Sequence, residues 1–279
     1  MSGILGIFDL HLWAPVMAGG LVAGSSVGMM GVFVVGMRIP FLGVCVSHAA
    51  LAGAVFASLA GFGSLGMLAA ALVAGMATAM LLGLADPHRL GVDTNVMLGL
   101  LFSLTMGLAF LGIGLHGKLG RSDNRVLALL WGSLLLCDWR TVALMAAVGA
   151  GCLAFVLACY KEMRAVMFSR VQTASAGVHA AAVWTAFLVL FSAVLTVTFQ
   201  TVGGLMIYSL MTNPAAAAFQ LVRGFGRALL VATMLGAVSG LGGFLLSVAL
   251  DLPTGAVIVL FSSTLVGVAA MARRLGWVG

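Results

Sequence analysis

The chain has 279 residues, of which 63% are hydrophobic and 7% charged, with a formal net charge of +6 and a mean hydropathy of +1.23. A soluble domain carries about 25% charged residues, so a chain this poor in charge cannot cover a water-facing surface, and lipid must face most of it. Only helices or closed barrels satisfy every backbone group inside lipid. The apolar runs here are long and unbroken and lack the alternation of a barrel strand, which predicts an all-α, polytopic integral membrane bundle of eight or nine helices in a single transmembrane domain, residues 1–279.

The first residues, MSGILGIFDLHLW, carry no basic residue ahead of their apolar part and are not expected to be a cleaved signal peptide. Runs long enough to span a bilayer are expected at 15–35, 39–59, 65–84, 96–115, 141–159, 180–199, 203–222, 228–250 and 254–271. The piece 126–136 is apolar but too short to span and is expected to be re-entrant or interfacial. The longest cytosolic segment is expected at 160–179, as a connector or a docking surface. Gly- and Ala-rich stretches such as GGLVAGSSVGMMG and GAVSGLGG let helices approach closely in lipid, and packing is their simplest reading.

Basic residues set orientation. With nine spans and a cytosolic carboxyl end, the cytosolic loops hold Arg38, Arg89, Lys161, Arg164, Arg170, Arg223, Arg227, Arg273 and Arg274. The outer loops hold Lys118, Arg121, Arg125 and Arg140, so the balance is nine against four. An eight-span arrangement turns the amino terminus over. The positive charge is thus absorbed by orientation, and no basic run or aromatic platform points to nucleic acid.

The acids are Asp9, Asp86, Asp93, Asp123, Asp138, Glu162 and Asp251, all at span ends or in loops. A proton- or sodium-coupled carrier needs ionisable groups inside its spans, so the energy for uphill transport is expected from another subunit. The stretch 112–118, GIGLHGK, matches GxxxxGK, but Leu119 follows where a phosphate loop needs Ser or Thr. It also ends an apolar span, so it is read as a decoy and the chain is not expected to be an enzyme. Cys45, Cys137, Cys152 and Cys159 form no CxxC pair and no disulfide framework.

The sharpest polar feature inside a span is FLGVCVSHAALAG. His48 lies within an apolar helix with Cys45 three residues earlier, on nearly the same face. Histidine with cysteine suits zinc or a softer metal, and oxygen donors suit manganese. The alternative is a lone histidine hydrogen-bonded between helices. Farther on, Asn213-Pro214 interrupts a span, as a static kink or a moving hinge.

Five segments in order resemble one family: RIPFLGVCVSHAALAG, GVDTNVMLGLLFS, LLWGSLL, VGGLMIYSLMTNPAAAA and LDLPTGAVIVL. The sequence resembles the permeases of the ATP-binding-cassette (ABC) transporters that take up zinc, manganese and iron. The resemblance implies a half-transporter in the bacterial inner membrane. A second permease copy would complete a homodimer, with separate ABC ATPase subunits on the cytosolic side and an extracytoplasmic metal-binding protein delivering cargo. The divalent ion, zinc ahead of manganese and iron, would be cargo, with no permanently bound cofactor.

The resemblance also implies coupling to the ATPase through residues 168–178, including Phe168, Arg170 and Gly177, with Arg164 beside them. Val171 stands near a position where the family usually has an acid. In relatives an Asp four residues before the His joins it in the metal site; this chain has Val44 there, so His48 carries over and Cys45 is the nearest replacement ligand. Two rival readings stay open: a related permease for a metal chelate or vitamin-like cargo, and a non-ABC intramembrane enzyme or channel.

Overall fold

The computed structural model describes residues 10–84, 93–119, 137–177 and 179–276. These form α1 (Leu10–Gly36), α2 (Phe41–Leu59), α3 (Ser64–Leu84), α4 (Thr94–Lys118), α5 (Trp139–Ala158), α6 (Tyr160–Phe168), α7 (Arg170–Ser175), α8 (Ala180–Val202), α9 (Gly204–Leu221), α10 (Phe225–Leu250) and α11 (Thr254–Arg274). Among the described residues eight helices are long and apolar enough to cross a membrane. The other long helix, α9, is diluted by Asn213, Pro214 and Gln220, yet it packs within the bundle against α1, α10 and α11. The 126–136 piece lies outside the described residues. The segment 160–179, expected as a connector or a docking surface, contains two short helices, α6 and α7.

Glycine sets the tightest contact in the bundle. A methyl added at Gly24 or at Gly236 would coincide with the other's carbonyl oxygen, and one at Gly240 would coincide with the carbonyl oxygen of Gly20. The four-residue spacing of Gly20, Gly24 and Gly28 on α1 meets that of Gly236 and Gly240 on α10, so the two backbones touch directly. Gly31 on the same helix meets the carbonyl of Met211 on α9. Lipid tails are as apolar as leucine, so helices gain little from hiding apolar surface and associate through such close packing. Away from the seam, Phe33 of α1 meets Phe187 of α8 with tilted rings and Phe187 stacks on Phe191, at centroid distances of 4.8 and 5.9 Å.

The ends follow local rules. Asp93 and Asp138 cap α4 and α5 by accepting from the backbone N–H groups of Asn95 and Thr141. Asp251 closes α10 in the left-handed region at φ 53°. At Gly203, φ 88° and ψ 153°, the chain turns from α8 into α9, a conformation essentially confined to glycine. The expected placement of acids at span ends therefore holds for the described ones.

One end of the bundle gathers the basic residues. Met167 at the end of α6 reaches Gly36 at the end of α1, and Tyr160 meets Phe225 at the start of α10 with tilted rings. Arg38, Lys161, Arg164, Arg223 and Arg227 flank these joined ends. This agrees with a nine-helix alternation and with their shared side in the charge count.

A Gly24→Val variant should lose about 1–3 kcal/mol or more, since overpacking here meets backbone that cannot turn aside. Gly107→Ala, where an added methyl meets open space, should leave the melting temperature in detergent unchanged or raised. Thermal unfolding of the two variants checks both.

Candidate metal-handling site

The chain turns between α1 and α2 through Arg38, at φ 61°, and Pro40 leads directly into α2. Gly43 in the first turn lets the sulfur of Met211 from α9 lie against α2. The next two turns carry Val44, Cys45, Ser47 and His48. Ser47 donates to the Gly43 carbonyl at 2.8 Å and is buried.

Cys45 and His48 both face α4, as their three-residue spacing predicts. The Cys45 thiol donates to the Leu98 carbonyl at 3.0 Å and is fully buried. His48 is 6% exposed and meets Phe102 edge-on, with centroids 5.2 Å apart. Its Nδ1 lies 2.9 Å from the Val44 carbonyl. A carbonyl can only accept, so Nδ1 carries the proton, and in the neutral ring the lone pair is on Nε2. A metal-binding histidine commonly uses this arrangement, one nitrogen donating to a carbonyl and the other free for the ion. Among the described residues Nε2 has no hydrogen-bond partner, and no group of three or more His, Cys, Asp or Glu side chains comes together.

Val44 occupies the turn before His48 on the same side of α2 and is partly exposed. A carboxylate there would reach the same space as the imidazole; the isopropyl group supplies no ligand. As it stands, the site is one imidazole nitrogen with a neutral thiol nearby that is engaged to α4.

Sequence reasoning passed over two buried polar features. His116 near the end of α4 is 5% exposed, with Nε2 3.1 Å from Ser58 Oγ and Nδ1 unpartnered. It sits inside GIGLHGK, where attention to the nucleotide pattern hid it; that stretch is α-helical within α4, not a phosphate loop. Ser192 and Thr196 of α8 are buried without a hydrogen-bond partner, against Gly75 of α3. Their four-residue spacing was legible, but a helix full of hydroxyls gives no sign of which ones lack partners.

The coupling candidates lie together after α5. On α6, Met163 and Val166 are buried, while Arg164 is exposed and Phe168 is 89% exposed. Arg170 opens α7, whose cap Ser169 accepts from the backbone of Gln172, and Gly177 follows at φ 82°. Asn213 and Pro214 lie inside α9. Pro214 has no N–H for the Leu210 carbonyl.

The cysteines differ in access. Cys45 and Cys152 are fully buried within spans, and Cys159 is partly exposed. Burial pushes the Cys137 thiol, just ahead of α5, up to about 11, with the negative charge of Asp138 adding to the rise. Cys159 should therefore label first with a maleimide. Labelling of Cys137 should rise about tenfold per pH unit toward pH 11, because the thiolate is the reacting form. Peptide mass spectrometry after timed labelling checks the order.

The model of the ABC 3 transport family matches residues 9–273. The chain is 25% identical over 250 residues to a manganese transport system membrane protein of Halalkalibacterium halodurans, covering 89% of this chain and 83% of that one. It is 36% identical over 107 residues to a chelated iron transport system membrane protein of Yersinia pestis, covering 38% and 36%. Its fold matches PsaBC from Streptococcus pneumoniae, solved with a Fab, at a TM-score of 0.82 and 19% identity over 99% of both chains. Since the family model covers nearly every helix of a bundle built to cross a membrane, the chain is a multi-pass bacterial membrane protein belonging to the ABC 3 transport family.

Proposed function

We propose that the chain is the permease subunit of an ABC importer for divalent transition-metal ions. It would act as one of two copies, with separate ATPase subunits on the cytosolic side and an extracytoplasmic binding protein that delivers the ion. The observation that supports this reading most is His48, an imidazole inside an apolar bundle whose Nδ1 is held by its own helix while Nε2 stays unpartnered. An ionisable side chain within a span is costly and marks an ion path more often than a packing position. The relatives named for a metal carry manganese or iron in their names. Manganese or iron is therefore the proposed cargo, ahead of the zinc expected from cysteine and histidine alone. A second reading, a chelated metal, is favoured by Val44, because a ligand-wrapped ion needs fewer donors from the protein.

The basic end of the bundle is the proposed cytosolic face, as the positive-inside rule asks. The exposed Arg164 and Phe168 on α6, with Arg170 and Gly177 following, form the proposed coupling surface. Phe168, 89% exposed, is open to a partner's pocket there. Pro214 and Asn213 form the proposed hinge of α9.

Uptake of manganese, iron and zinc by cells carrying the complete transporter tests the reading. His48→Ala should abolish uptake of all three. Val44→Asp should favour manganese, because hard oxygen donors suit it, and Cys45→Ser should shift preference away from soft ions. Normal uptake by His48→Ala would make His48 a packing residue.

Docking has its own test. Phe168→Ala should weaken co-purification of the ATPase while the permease itself stays folded, and Arg164→Glu should act in the same direction. Retention of the ATPase at wild-type levels in both variants would move the coupling surface elsewhere.

A further inference from the structure

The middle of α9 holds a side-chain arrangement that ties it to α11. Asn213 Nδ2 lies 2.9 Å from Ser262 Oγ and 3.1 Å from Ser263 Oγ on α11. Both serine hydroxyls donate to the carbonyl of Val259, at 2.9 and 2.8 Å. Each hydroxyl proton is thus already placed, and each oxygen is left only to accept. The asparagine must therefore present its NH2 group to the serines, and its carbonyl oxygen Oδ1 points the other way. Oδ1 has no donor among the described residues.

Asn213 is near the middle of α9, and its two serine partners are near the middle of α11, an apolar membrane-length helix. An amide oxygen without a donor at that depth cannot face hydrocarbon cheaply. The neighbours of α9 define the space around it. Met211 turns toward α2, against Gly43, and Asn213 turns toward α11. A helix advances about 100° per residue, so the exposed strip of α9, with Tyr208 and the partly exposed Thr212, lies between those two neighbours. The α2 border of that strip carries Val44 beside Gly43, and the α11 border carries the exposed Ser263.

We propose that Asn213 Oδ1, aimed by Ser262 and Ser263, is an oxygen ligand for the cation as it passes this strip, supplying a hard donor where Val44 supplies none. The inference rests on the permease reading above. A neutral amide oxygen binds hard divalent ions without holding them as a carboxylate does, which suits a site that must release its ion. The mid-helix position next to a proline break is also where transporters with interrupted helices place their ion sites. Asn213 is the ligand, and Ser262 and Ser263 are positioning residues.

The test compares manganese and zinc uptake by the complete transporter in four forms: wild type, Asn213→Asp, Asn213→Leu and the double variant Ser262→Ala/Ser263→Ala. Assembly is followed by co-purification. Asn213→Asp keeps the size of the side chain, and the two hydroxyls can turn to donate to it, so it should assemble and raise the manganese-to-zinc uptake ratio several-fold. The double serine variant frees the amide to rotate and should lower manganese uptake about tenfold, with assembly unchanged. Asn213→Leu should lose manganese uptake. An unchanged manganese-to-zinc ratio in Asn213→Asp overturns the proposal, whether or not Asn213→Leu folds. A wild-type transporter that imports none of manganese, iron and zinc overturns the permease reading and this inference with it, and the wild-type arm separates that failure from the first.

Discussion

The contact on which the bundle depends is backbone against backbone: Gly20, Gly24 and Gly28 of α1 laid on Gly236 and Gly240 of α10. In water a helix pair can be held by hiding leucines, because exposure is penalised. In lipid that penalty vanishes, and what remains is close packing and the dipoles that close packing brings together. Removing the side chains lets two helix axes approach until main-chain atoms touch. The same α1 meets the carbonyl of Met211 through Gly31, so one helix fixes the placement of both α9 and α10. Every later feature, from the α2–α4 face to the α9–α11 clasp, is positioned relative to that block.

Polar groups inside the bundle obey one constraint. With no water to turn to, a hydroxyl, amide or imidazole left without a partner is costly, and Ser192, Thr196 and Nδ1 of His116 are buried ones so left among the described residues. Most hydroxyls settle it locally by donating to their own helix, as Ser47, Thr105, Thr233 and Ser239 do. His48 does half of this: it spends Nδ1 on Val44 and keeps Nε2. Cys45 spends its proton on α4 instead, which ties α2 to Leu98 and makes the thiol a structural donor in this state. Asn213 likewise spends its NH2 and keeps its oxygen.

Val44 stands where the family resemblance implies a carboxylate, which makes the proposed site a neutral one. A carboxylate beside His48 would bring negative charge to offset a divalent ion. An imidazole with an amide oxygen elsewhere on the same side of the protomer is neutral throughout. In the proposed transporter such a path would bind an ion more weakly than one carrying a carboxylate, which suits release.

Much of this was legible from the chain alone. Low charge and unbroken apolar runs require membrane helices, because no other backbone arrangement satisfies itself in lipid. The three-residue spacing of Cys45 and His48 places them on one face, since a helix leaves no other option. The acids mark helix ends, and Asp93 and Asp138 prove to be caps. Tertiary structure alone decided the rest. That Cys45 is engaged to Leu98, that His116 is buried, and that Ser262 and Ser263 aim the amide of Asn213 depend on which helices lie side by side. Periodicity reports how a side chain projects from its own helix. Which neighbour it meets is set by the glycine seam and the connections between helices, and those interactions run between residues far apart in the sequence.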